Sequence, residues 1–224
     1  RFGDVEALRR VPKYAADSVG SLLMTGTAGM SRDQISQKME ALKAAGGVSG
    51  NAQSATIYLQ AKRDTLADAL NLSAQIMREA NFPQNEFDQY KLQMVTGLEA
   101  ARKEPGTVAS LAMAKHFDPW PAGHPFAFES LDQWLAGIKA LTREDLVAFH
   151  RDFYGTAEGE IAVVGDFDPV AMKTQLRTLF ADWRSQRAYK REPTRYTAVP
   201  AKTERGETPD KANAIFIARA NLSF

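Results

Sequence analysis

The sequence predicts an α+β fold, a sheet with helices packed mainly on one face. Three observations carry this. Apolar residues recur at a helical period in several segments of ten residues or more. Ala55–Ala61 instead alternates, with Ile57, Leu59 and Ala61 set against Tyr58, Gln60 and Lys62, the period of a strand. Glu160–Gly165 is a nearly continuous apolar run, as expected of a strand central in its sheet.

Composition narrows the function classes. With 224 residues and 44% hydrophobic content, the chain can bury a proper core. A net charge of +1 implies no strong field for nucleic acid or membrane surfaces. The absence of cysteine excludes disulfides, thiolate catalysis and Cys-based zinc sites. No apolar run approaches the length of a membrane helix.

The elements follow in order. Residues 1–11 read as a connector. Val11, Tyr14, Ala15, Val19, Leu22 and Leu23 form one helical stripe, with Pro12 in its first turn and Gly26 as a left-handed stop. Ser31 with Gln34 caps a second helix to Ala45, ended by Gly46-Gly47. Val48–Ala61 is a strand pair or one bent strand. Asp64 caps a helix with the stripe Leu66, Ala69, Leu70, Ser73, Ile76 and Met77. After the Asn81-Phe82-Pro83 turn comes a helix from Asn85 to Lys103. Gly97 inside it suggests close packing of another element. Shorter helices are expected at Val108–Phe117, Ser130–Ile138 and Thr142–Phe153, around an irregular, proline-rich loop at 118–127. Asp168-Pro169 opens a helix to Phe180.

Residues 184–209 lack periodicity and read as a linker, whose basic residues Arg184, Arg187, Lys190, Arg191 and Arg195 suit a solvated segment. Residues 210–224 contain AIFIARANLSF, a strand-like run. With Arg rather than Met at position 1, the chain reads as a fragment of a longer protein.

Several weak motifs come in a set order: Gly26-Thr27, the helix start at Ser31, Gly46-Gly47, Asn51-Ala52, the strand Ala55–Ala61, the helix Thr65–Met77, FPQNEF from Phe82, Phe153-Tyr154, and EIAVVGDFDP from Glu160. Over residues 12–183 this succession resembles a half-domain of the insulinase and pitrilysin family, which includes the mitochondrial processing peptidases. The resemblance implies a mixed, largely antiparallel sheet, with paired half-domains enclosing a chamber where peptide is cut; it makes 1–183 one half-domain, 184–209 the linker of the pair and 210–224 the first strand of a truncated following half-domain. Catalytic members are inverzincins, whose HxxEH motif supplies two zinc-binding histidines and a glutamate base on one helix. Counted back from Gly26-Thr27, those three positions fall on Asp17, Gly20 and Ser21. The third ligand, a glutamate on a later helix, falls at Gly97. None of these four can replace the family's residue, so the resemblance implies a non-catalytic half-domain, inactive alone and without a cofactor of its own. Zinc is then expected in a catalytic partner domain on the same or another chain, and a periplasmic or envelope location follows from the resemblance alone. The alternative is a non-peptidase binding or assembly module of the same fold, as in the core subunits of the respiratory bc1 complex.

Other candidates are weaker. Asp17 and Ser21 share a helix face, but together make a poor zinc set. His116, His124 and His150 are the only histidines and lack ligand spacing. Ser49, Gly50, Asn51 and Ala52 correspond to the edge strand that pairs with substrate backbone in catalytic relatives. Strand addition uses main-chain groups and so survives loss of zinc. The same residues also suit a bulge or turn between two strands. Trp120, His124, Phe126 and Phe128 form an aromatic loop, read as packing over the core or as contact with a partner.

Overall fold

The computed structural model describes residues 1–193, 196–208 and 211–222, so Arg195, Asp210 and the 223–224 end of the predicted strand lie outside the described residues. The chain forms two compact units, residues 1–88 with 141–191 and residues 89–140 with 192–224. The α+β class is present, with the described strands in two small antiparallel sheets.

In the first unit, α1 (Val5–Leu8) is capped by Asp4. α2 (Ala15–Leu22) is buried through Ala15, Ala16, Ser18, Val19, Gly20 and Leu22, and these small side chains let neighbours approach on several sides. It packs against β3 (Ala45–Gly50) and α8 (Arg143–Phe153). Pro12 lies before this helix rather than in its first turn. A single 3-10 turn at Leu23–Thr25 leads to β1 (Gly26–Thr27), paired with β2 (Met30–Ser31). Gly26 is not the expected left-handed stop. Its φ of 168° is extended, and the helix ends by running into a strand.

The Ser31–Gln34 capping box opens α3 (Arg32–Ala41). This helix stops short of Ala45, and Gly46-Gly47 lie inside β3 instead of ending it. Lys43 supplies the left-handed residue at φ 51°. Gly46 is required within the strand, because a Cβ there would stand 2.0 Å from the Tyr58 carbonyl oxygen. β3 pairs antiparallel with β4 (Ala55–Gln60) from Ala45↔Gln60 to Gly50↔Ala55, so the two read as a hairpin and not one bent strand.

α4 (Arg63–Glu79) buries Ala69, Leu72, Ser73, Ile76 and Met77. Its N-cap is Lys62, and Asp64 sits in the first turn, where a carboxylate favours the helix dipole without capping it. The following turn places Phe82, fully buried, at φ 49°. Arg143 holds this conformation: Nε donates to the Phe82 carbonyl at 2.7 Å and Nη2 to the Asn81 carbonyl at 2.9 Å. α8 begins with the Thr142–Asp145 box and ends in an aromatic cluster. Phe149 stacks on Phe153 at 4.2 Å, and Phe2 stacks on Tyr154 at 4.8 Å. α9 (Pro169–Phe180) is capped by Asp168 and docks on α4 through Gln175, which donates to the Ala67 carbonyl and Asn71 Oδ1.

The run Glu160–Gly165 departs from expectation. It is not a central strand and pairs with no strand among the described residues. Its apolar side chains have the composition of a buried strand, yet Val164 is 97% exposed.

α5 (Gln84–Ala101) passes from the first unit into the second. The second unit continues with α6 (Pro105–His116) and α7 (Leu131–Ala140). The loop between them is ordered by Asp118, whose carboxylate accepts from the Trp120 and Phe128 amides. Residues 192–222 carry no helix or strand among those described, so the expected strand after 210 is not formed there. Lys211 pairs with Glu104 within this unit, while Phe216 is 91% exposed.

Candidate functional site

Asp17, Gly20 and Ser21 lie on α2 in the first unit, and Gly97 lies on the part of α5 in the second. The Ser21 hydroxyl donates back to the Asp17 carbonyl at 2.9 Å. Desolvation raises the Asp17 carboxyl above its ordinary value, with Lys13 opposing. Asp17 therefore has no ligand partner on its helix face, and this residue set does not fit a zinc ion. Among the described residues, no group of three His, Cys, Asp or Glu side chains is placed to hold a metal.

At Gly20 the departure is spatial as well as chemical. A Cβ there would stand 2.1 Å from the Gly50 carbonyl oxygen, so β3 backbone occupies the space a catalytic glutamate needs. A Cβ on Gly50 would in turn meet the Tyr154 hydroxyl oxygen at 2.3 Å. Tyr154 is buried and its hydroxyl has no hydrogen-bond partner among the described residues. Burial first, and the nearby Asp17 charge second, raise its pKa. The convergence of Gly20, Gly50 and Tyr154 is a closed packing joint, with no nucleophile–base pair in it.

Gly97 behaves differently from expectation. Nothing lies within 4 Å of the place its Cβ would take, so this glycine is not a close-packing point.

The expected edge divides into two parts. Ser49 and Gly50 belong to β3, while Asn51 and Ala52 begin the turn to β4. Asn51 Oδ1 accepts from the Gln53 amide, the Ser54 amide and the Ser54 hydroxyl, a side chain given over to closing the hairpin. On the outer side of β3, the Val48 amide donates to Met24 Sδ at 3.3 Å, and the Gly50 carbonyl abuts Gly20. The Met24 sulfur is a weak acceptor on a flexible side chain, a movable cover on this edge. Sequence reasoning passed over Met24 because a methionine just past a helical stripe carries no sign of which backbone amide it will meet.

The histidines each have local partners. His150 Nε2 donates to the Met77 carbonyl at 2.8 Å, and burial lowers its pKa despite that bond. His124 stacks on Trp120 at 4.2 Å and its Nδ1 accepts from the Phe126 amide. His116 Nε2 lies 2.9 Å from the Pro200 carbonyl. The aromatic loop thus packs on itself, through Trp120, His124 and Phe126.

Residues 140–220 match the family described as the peptidase M16 inactive domain. The fold is similar to the peptidase M16 inactive domain from Pseudomonas fluorescens, at 26% identity and a TM-score of 0.69, over 84% of this chain and 45% of that one. It is also similar to a protease from Helicobacter pylori, at 17% identity and a TM-score of 0.63, over 85% of this chain and 45% of that one; this second likeness is one of fold alone. The chain therefore spans under half the length of either structure. No curated protein matches it in sequence.

Proposed function

We propose that this chain, a half-domain of the M16 peptidase family and of its inactive kind, forms chamber wall and peptide-docking surface for a catalytic HxxEH domain on the same or another chain. The observation that carries the non-catalytic reading is the Gly20–Gly50 contact, which leaves no room for a glutamate base on α2. Zinc, and the water it activates, would belong to the partner domain. The half-domain itself would comprise residues 1–183, with 184–209 as a connection to a following half-domain. A periplasmic or envelope setting rests on the family resemblance.

Peptide docking is assigned to the outer edge of β3 around Val48, through main-chain hydrogen bonds, because α2 closes the Gly50 end of that edge. Asn51 and Ala52 would shape the end of that edge as a turn. The Met24 cover on Val48 also favours a second reading, an assembly module whose edge stays closed.

The test is cleavage of a fluorogenic peptide by the chain alone, by a catalytic HxxEH partner alone, and by both. Chelator-sensitive cleavage by the isolated chain would sink the non-catalytic reading. Cleavage that rises only on mixing supports the docking role. Met24→Leu keeps the bulk but removes the sulfur acceptor, so it should lower KM in the mixture with kcat unchanged. A mixture indifferent to both the chain and Met24→Leu would favour the assembly module.

A further inference from the structure

The outer edge of β3 carries a sulfur where a strand edge would carry only backbone. The Val48 amide donates to Met24 Sδ at 3.3 Å. Gly47 lets the sulfur come this close: a Cβ there would stand 2.7 Å from Sδ, so any side chain at 47 would take the sulfur's place. Met24 reaches the strand from the 3-10 turn Leu23–Thr25, in which Leu23 and Thr25 are buried. The turn is thus fixed on either side of Met24, while its own side chain is half-buried.

Exposure separates this methionine from others of its unit. Met30, Met39, Met77 and Met172 are all buried, each 8% exposed or less. A thioether is oxidised where an oxidant in solution can reach its sulfur, so Met24 is favoured over those four.

Oxidation also changes what the side chain offers the amide. A thioether sulfur is a weak acceptor. A sulfoxide is polar, and its oxygen accepts from an N–H at the ordinary distance of about 2.9 Å. That oxygen lies one bond beyond the sulfur, so the side chain has to draw back toward solvent to present it. The unbranched, flexible methionine chain allows this.

We propose that Met24 is an oxidation site, and that its sulfoxide holds the Val48 amide and shuts the outer edge of β3. The oxidant class is a peroxide. A sulfur lone pair attacks one peroxide oxygen, the S–O bond forms as the O–O bond breaks, and the sulfur gives up two electrons. With hydrogen peroxide, the leaving hydroxide takes the proton from the new S–OH group and departs as water. The consequence for function rests on the reading that this edge docks peptide.

The test treats the full chain with hydrogen peroxide, maps oxidation by peptide mass spectrometry with fragmentation, and follows Val48 amide exchange by NMR. Met24 should convert at least about fivefold faster than Met30 or Met39. The oxidised chain should exchange the Val48 amide about threefold or more slowly. Met24→Gln, whose amide oxygen has the reach of the sulfoxide oxygen, should slow it without peroxide. Met24→Leu should show no change at Val48 on peroxide treatment. Oxidation of Met24 no faster than of Met30 or Met39 overturns the site. Val48 exchange unchanged or faster in the oxidised chain or in Met24→Gln, or slowed by peroxide in Met24→Leu, overturns the closure. Mixed with a catalytic partner, the oxidised chain should raise KM for peptide. Slowed Val48 exchange with unchanged KM would overturn the docking reading and leave the oxidation site standing.

Discussion

Gly20 lies so close to Gly50 that a Cβ on it would stand 2.1 Å from the Gly50 carbonyl oxygen. The obstacle is backbone in the middle of a hairpin, so it cannot swing aside as a side chain would. Gly20→Ala should therefore cost about 2–3 kcal/mol, from overpacking. Gly20→Glu should cost more, since it also drives a carboxylate into a closed joint. Urea midpoints of the two variants check this, and a wild-type midpoint for Gly20→Ala would mean that α2 and β3 do not touch there.

Rebuilding the motif should fail for the same reason. The triple variant Asp17→His, Gly20→Glu, Ser21→His restores the family's residue types but not the space for them. It should show no zinc-dependent rise in Tm, whereas a zinc site formed in the folded chain would raise Tm in proportion to its affinity.

Gly97 should respond with the opposite sign. Its Cβ position is open and it sits inside α5. Gly97→Ala is expected to stabilise by about 0.5–1 kcal/mol, the helix-propensity difference. Thermal unfolding followed by circular dichroism would detect it.

Arg143 holds two carbonyls of a turn that carries a buried phenylalanine at positive φ. Arg143→Ala should cost about 2–3 kcal/mol, because buried acceptors lose charged donors. Arg143→Lys should recover only part of that loss, since an ammonium cannot reproduce the planar two-point grip. Equal midpoints for Lys and Arg would show that charge alone matters here.

His150 sets a pH dependence. Burial lowers its pKa below the ordinary 6.5, so between that lower value and 6.5 the unfolded chain binds more protons than the folded one. Stability should therefore be fully present above 6.5 and fall as pH drops through this window. Urea unfolding at a series of pH values, compared between wild type and His150→Gln, isolates the contribution. The variant's curve should be flatter across that range, while a parallel curve would assign the slope to other groups.

The legible parts of this fold are those with local causes. Ser31 with Gln34 and Thr142 with Asp145 carry their capping boxes within four residues of chain, and both are formed. Asp168-Pro169 opens α9 for the same reason. The alternation of Ala55–Gln60 marked a strand because a half-buried sheet face imposes a period of two. Gly26 and Asp64 misled, since a glycine or a carboxylate near a helix end suits several roles and only the backbone dihedrals choose among them.

The sequence by itself determined that the helix bearing Asp17, Gly20 and Ser21 carries no histidine and no glutamate at the positions the family resemblance gives to the zinc motif. Tertiary structure decided what stands there instead. Gly50 is thirty positions further on, and Tyr154 more than a hundred beyond that. Their meeting at Gly20 depends on the hairpin and α8 closing around one small-residue helix. The apolar run Glu160–Gly165 shows the same division. Its composition called for neighbours on both sides, but hydrophobicity has no direction, and the folded chain pairs the run with no strand among the described residues.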